Sequence, residues 1–145
     1  MLFILLIGLP VNLLCLLLQA LFVIFCMRRI AIFKKAYQQE DRPLYDMLML
    51  SFVMLLMLLC NFLQISLWAA LFLLLGEFDD FATALYHSAV NFTTLGYGDI
   101  IMSPARRLLG PMEAANGIMM FGVSTAAMTA AVMDVLKRAT RNMTM

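Results

Sequence analysis

A chain of 145 residues is long enough for one domain, yet 64% of it is hydrophobic and only 13% charged, against roughly half and a quarter in soluble domains. Its charges leave three long stretches nearly empty: none from Met1 to Met27, none from Met47 to Gly76, and only Glu113 between Arg107 and Asp134. A soluble enzyme fold is excluded, no enzyme chemistry is expected, and a net charge of +1 offers no basic surface for nucleic acid.

Each stretch exceeds the roughly 20 helical residues that cross a hydrocarbon core of about 30 Å. The expected fold is therefore an all-α integral membrane protein with three transmembrane helices. The first, over residues 1–27, has no basic residue before its apolar run and no small-residue cleavage pattern after it, so a retained helix is expected rather than a signal peptide. Asn12 and Gln19 share one face of it, which predicts docking on other helices. Cys15, Cys26 and Cys60 are odd in number and lack the paired spacings of metal sites; they read as buried, reduced packing residues.

Residues 28–47 carry Arg28, Arg29, Lys34, Lys35 and Arg42, while Lys137, Arg138 and Arg141 follow the third span. Eight of the ten bases thus fall on one side, which predicts a multi-pass protein of the cell membrane with the N-terminus outside and the C-terminus in the cytoplasm. Ile30, Phe33 and Tyr37 would share a helical face, so this segment reads either as an interfacial helix or as a polybasic loop that only fixes topology. Asp41-Arg42-Pro43 would end such a helix, because proline disfavours helical geometry at the residue before it. In the second span, 48–76, Asn61 and Gln64 sit mid-membrane and are expected to bond between helices.

Residues 81–92 are uncharged and helix-compatible but only about 18 Å long at the helical rise, too short to cross. Thr93 and a Gly-Tyr-Gly run follow at once. Irregular backbone at membrane depth is tolerated only where it is buried in protein or lines a water-filled path, so a re-entrant pore helix and an extended return strand are predicted.

Thr94-Leu95-Gly96-Tyr97-Gly98-Asp99 resembles the selectivity filter of the potassium channel family, T-V-G-Y-G, with Leu95 in place of valine. Carbonyls replace an ion's water shell only if successive ones point the same way, and glycine accepts the backbone angles this needs. The resemblance implies potassium held at Thr94, Leu95, Gly96 and Tyr97, with Gly98 completing the filter and the Thr94 hydroxyl at its inner end. Leu95 and Tyr97 would point outward into surrounding protein. It further implies a homotetramer in lipid, since one strand cannot enclose an ion, with no cofactor and no small-molecule substrate beyond permeant cations.

The third span, 104–138, carries Gly117 to Ala127, similar to the inner helix of the simple two-helix potassium channels, so that the resemblance covers a pore domain at 48–138 and leaves out the first helix. Ile118, Gly122, Thr125, Thr129 and Met133 recur at helical spacing and could line a cavity below the filter; helix–helix bonding is the other reading of the two threonines. Gly117 and Gly122 are candidates for a gating hinge or for close packing. A cytoplasmic tail is expected at 139–145.

Glu113 has two readings. A helix opened by Pro111 would place it in the first turn, whereas a helix begun at Pro104 would be kinked by Pro111 and carry Glu113 deeper, behind the filter. Many relatives have a pore-helix glutamate where this chain has Val90, so Asp99 is expected to find Tyr86, His87 or Glu113, with Asn91 as a further filter support. His87 reads as a packed, satisfied histidine, with a pH sensor as the alternative. Asn91-Phe92-Thr93 matches the glycosylation pattern but falls in the pore helix and is discounted. Asp134 either rings the inner mouth or pairs with Lys137 and Arg138. With no arginine-repeat span, a leak-like potassium channel is the expectation; a poorly selective cation channel and a non-conducting membrane subunit are the alternatives.

Overall fold

The computed structural model describes residues 2–36 and 43–143, which form four helices: α1 (Leu2–Ala36), α2 (Pro43–Leu74), α3 (Phe81–Phe92) and α4 (Leu109–Met143). Within them, Ile4–Ile32, Leu44–Leu74 and Leu109–Lys137 are long and apolar enough to cross a membrane, and α3 at 12 residues is not. The architecture is all-α, three spans with a re-entrant helix and an extended segment after it.

Several boundaries differ from the sequence reading. Arg28 and Arg29 do not begin a loop: α1 continues through them to Ala36, about 52 Å at the helical rise. A helix satisfies its own backbone bonds, so it can run on past the apolar zone without cost. Ile30, whose helical face suited an interfacial helix in one of the two sequence readings, is buried in a cluster with Met49, Val53 and Ala131. Tyr37 and Asp41-Arg42, where that segment was expected to end, lie outside the described residues. At the other boundaries α2 starts at Pro43 rather than 48, and α4 runs from Leu109 to Met143 rather than from 104 to 138. Residues 104–108 are turns, so Pro111 is the third residue of α4, where its missing N–H is harmless, and no kink follows.

Helix ends have local causes. Gly76, at φ 70°, closes α2 in a Schellman motif, with its N–H bonded to the Leu73 carbonyl and that of Glu77 to the Phe72 carbonyl. Asp80 caps α3, accepting from the Thr83 N–H at 2.9 Å and the Thr83 hydroxyl at 2.6 Å. These bonds hold Asp80 below the usual carboxylate range.

Two apolar clusters stack along the bundle. One packs Trp68 and Phe72 of α2 with Phe92 of α3 and Leu109 and Met120 of α4; the other packs Met49, Val53 and Met57 of α2 with Ala127 and Ala131 of α4. Helix α1 joins both, through Cys15 in the first and Cys26 in the second. All three cysteines are buried thiols. The outward leucines of α1, Leu6, Leu9, Leu13, Leu17 and Leu21, are solvated by lipid tails in a membrane.

Amides fasten α1 at mid-membrane. Gln19, 2% exposed, accepts from Gln64 Nε2 of α2 at 2.7 Å and donates to Ser124 Oγ of α4 at 3.0 Å. Ser124 in turn lies 3.4 Å from Asn61 Oδ1. Asn12 Oδ1 is buried and makes no protein hydrogen bond.

Candidate functional site

The segment after α3 is built on the helix that precedes it. The N–H groups of Thr94, Leu95 and Gly96 turn back to the last carbonyls of α3, bonding Asn91 O at 2.8 Å and Val90 O at 3.0 and 3.4 Å. Alternate residues are left-handed: Thr94 at φ 61°, Gly96 at 58° and Gly98 at 74°. Glycine adopts this freely, whereas a threonine held there is strained by about 1–3 kcal/mol. Alternating handedness along a strand turns successive carbonyls to one side, the arrangement a cation-coordinating ladder needs. Leu95 and Tyr97, between the left-handed positions, are 58% and 67% exposed on the single chain.

Helix α3 also holds the far end of this segment. Tyr86 Oη donates to Asp99 Oδ2 at 2.7 Å, so of the three partners expected for Asp99 the tyrosine is the one bonded. That bond keeps Asp99 below the usual carboxylate range and pushes the Tyr86 phenol up. One position on, His87 Nδ1 lies 3.0 Å from the Ile100 carbonyl, and Asn91 Nδ2 lies 2.8 Å from His87 Nε2. A carbonyl only accepts and an amide nitrogen only donates, so the ring is neutral with its proton on Nδ1. Burial, against the opposing pull of the Ile100 carbonyl, lowers its pKa and keeps it so at neutral pH. Asn91 thus supports the segment through His87.

A second support was missed in sequence. Glu77, just past the α2 cap, accepts from the Ser103 N–H and hydroxyl, each at 2.8 Å, and from Arg106 at 2.8 Å; Arg106 also donates to the Leu75 carbonyl. Burial opposes the Glu77 charge, but these four donated bonds to Glu77 and Leu75 clasp the end of α2 to the turns before α4, and the Ser103 and Arg106 contacts hold the carboxyl below its ordinary range. Charge counting could flag Glu77 and Arg106 as a pair; nothing in their spacing flags Ser103.

On α4 two stripes separate. Ile118, Gly122, Thr125, Thr129 and Met133 are all exposed on the single chain and follow one another at helical spacing. Thr129 Oγ1 donates to the Thr125 carbonyl within the helix rather than to a neighbour. Gly117, grouped with that stripe as cavity-lining or gate, is buried on the other face, against the last turn of α3. Glu113 and Asn116 share the buried face and have no exposed surface. Glu113 follows the helix start at Leu109 closely, with neither the Pro104 start nor the kink of the other reading, and lies buried against α3, where it contacts Ser88 Oγ. Ser88 and Asn116 drew no attention in sequence, because a serine and an asparagine among apolar residues carry no periodic signal.

Residues 57–134 match the model of a family described as Ion channel. No curated protein and no solved structure matches the chain. The matched stretch takes in most of α2, all of α3 and its following segment, and α4 as far as Asp134, while α1 lies outside it. Spanning more than half of the sequence, and coinciding with the re-entrant helix and its left-handed ladder, the match places this chain in the ion channel family, the family of two-helix pore domains of the potassium-channel type.

Proposed function

We propose that four copies of this chain form a potassium-selective pore that conducts passively down the ion's gradient, without a voltage sensor of its own. The observation that carries the reading is the left-handed backbone at Thr94, Gly96 and Gly98 within Thr-Leu-Gly-Tyr-Gly-Asp. Four such strands would present rings of carbonyls from Thr94, Leu95, Gly96 and Tyr97, with the Thr94 hydroxyls at the inner end. A partly dehydrated potassium ion would exchange its water shell for them. The C-terminal end of α3, the negative end of its dipole, adjoins the segment and favours a cation beside it.

The fourfold assembly is supported by what a single chain leaves uncovered: Leu95, Tyr97 and the α4 stripe from Ile118 to Met133. Around a fourfold axis, Leu95 and Tyr97 would meet neighbouring subunits, and the stripe would line the water-filled cavity below the filter. The basic residues after α1 and at the end of α4 support an outside N-terminus and a cytoplasmic C-terminus.

The test is the reversal potential of the purified protein in a planar bilayer with potassium on one side and sodium on the other. A shift close to the potassium limit is expected. A clear current reversing near zero would replace the reading with a poorly selective cation pore, and no current at any voltage or pH would make the chain a non-conducting subunit.

A further inference from the structure

Glu113 lies with no exposed surface where all four helices meet. Ser88 and Asn91 face it from α3 and Cys15 from α1; α2 brings the Ile65 carbonyl to Ser88, and Asn116 of α4 and Trp68 of α2 stand beside Cys15. Cys15, Cys60 of α2 beyond it, and His87 beyond Asn91 are the titratable groups on this side; among the described residues no lysine or arginine pairs with Glu113.

The hydrogen bonds here cannot be filled by the side chain of Ser88 alone. Ser88 Oγ is 2.7 Å from the Ile65 carbonyl oxygen and also touches Glu113 Oε1. A hydroxyl has one proton to give, and a carbonyl has none. If that proton goes to Ile65, the contact with Glu113 needs a second proton, which only the carboxyl can bring. If it goes to Glu113, two oxygens are left facing each other across 2.7 Å with no proton between them. Glu113 Oε2 forms no hydrogen bond of its own: the Asn91 amide faces the carboxyl but lies 2.8 Å from His87 Nε2, and an oxygen so placed suits a neutral acid better than a buried carboxylate.

We propose that Glu113 is a proton-binding site, held as a neutral carboxylic acid that donates to Ser88, and that this proton ties the filter-bearing helix α3 to α4. The chain of bonds runs from Glu113 to Ser88 to the Ile65 carbonyl, and so joins α4, α3 and α2. Removal of the proton leaves the single Ser88 proton to serve two acceptors, so one of the two contacts, to Ile65 of α2 or to Glu113 of α4, loses its hydrogen bond and α3 must shift against that helix. Tyr86 and His87 hold the filter's far end from the same short helix, so the movement reaches the conducting segment. The tie therefore holds at neutral pH and opens as pH rises through the titration of Glu113. Only this last step rests on the channel reading.

Infrared spectroscopy of the purified chain with isotope-labelled glutamate tests the site without any need for current. The C=O stretch of a protonated carboxylic acid is expected at neutral pH in the wild type, absent in Glu113→Gln and lost on alkalinisation. Identical spectra for the wild type and Glu113→Gln would overturn the proposal. Ser88→Ala should shift the band to that of an acid without an acceptor, and an unmoved band would remove Ser88 from it. In bilayers the wild-type current should fall at alkaline pH while the Glu113→Gln current does not respond; equal responses would sever the tie from conduction. A silent bilayer beside a positive infrared band would fault the channel reading and leave the proton site standing.

Discussion

Gly117 of α4 meets the backbone of Phe92 at the end of α3 so closely that a Cβ on it would lie 2.0 Å from the Phe92 carbonyl oxygen. Nothing flexible stands there to give way, since the next nearest atoms are also Phe92 backbone. The glycine therefore lets the backbone of α4 come up against the last residue of α3. Gly122, one and a half turns on, would meet nothing within 4 Å on the single chain.

Gly117→Ala is accordingly expected to destabilise the chain by about 1–3 kcal/mol or more, as overpacking against rigid backbone does. Gly122→Ala should be neutral or gain up to about 1 kcal/mol in helix propensity. Thermal unfolding followed by circular dichroism in detergent separates them. Equal losses in the two variants would mean that the α3–α4 contact does not distinguish these glycines.

The Glu77 clasp predicts a pH dependence with a definite sign. Its carboxyl is held below the ordinary glutamate value by the Ser103 and Arg106 contacts, against burial. A depressed value in the folded chain contributes stability that is present above the unfolded value, about 4.3, and is lost as pH falls through the folded one. Glu77→Gln should cost about 1–3 kcal/mol at neutral pH and progressively less in acid. The check is the unfolding midpoint of both proteins across that range; a constant difference would show that the charge of Glu77 is not what holds Ser103 and Arg106.

How much of this was legible in sequence depends on how local the signal is. The shortness of residues 81–92 and the glycine pair after them point to a re-entrant helix and to left-handed backbone, because both are properties of consecutive residues. Gln19 and Gln64 stood out because amides in an apolar run require partners, although not which partners. Arg28 and Arg29 misled, since charge marks the end of the apolar zone and not the end of a helix. Thr94 gave no hint of its left-handed backbone, a conformation imposed by the bonds from Thr94, Leu95 and Gly96 back to α3. The contact of Ser88 with Ile65 and Glu113 unites residues far apart in sequence, and only the fold brings them together.

The ladder itself is tested by chirality. Gly96 and Gly98 have open space around a would-be Cβ on the single chain, so an alanine there fails through its backbone and not through a clash. An L-alanine at Gly96 is expected to abolish potassium-selective current, at a backbone cost of about 1–2 kcal/mol. D-alanine, introduced by semisynthesis, prefers the left-handed region and should retain that current. If both enantiomers fail alike, the handedness of residue 96 is not the property that matters.

Gln19 connects a helix outside the matched stretch to α2 and α4 inside it, and this connection is measurable. Replacing Gln19 with leucine removes its bonds to Gln64 Nε2 and Ser124 at mid-membrane, where such bonds contribute roughly 0.6–2 kcal/mol. A double-mutant cycle between Gln19→Leu and Gln64→Leu, read from unfolding in detergent or mixed micelles, should return a coupling of at least about 0.5 kcal/mol. The cycle is the right instrument because each amide has other contacts: Gln64 also reaches Cys60, and Cys60 also reaches Gln19. Single losses therefore overstate the bond. A coupling near zero, with both single variants destabilised, would mean that α1 is held by its apolar contacts at Cys15, Cys26 and Ile30 and that its amides merely avoid lipid. A coupling of the expected size would make α1 a mechanical partner of α2 through the Gln19–Gln64 bond.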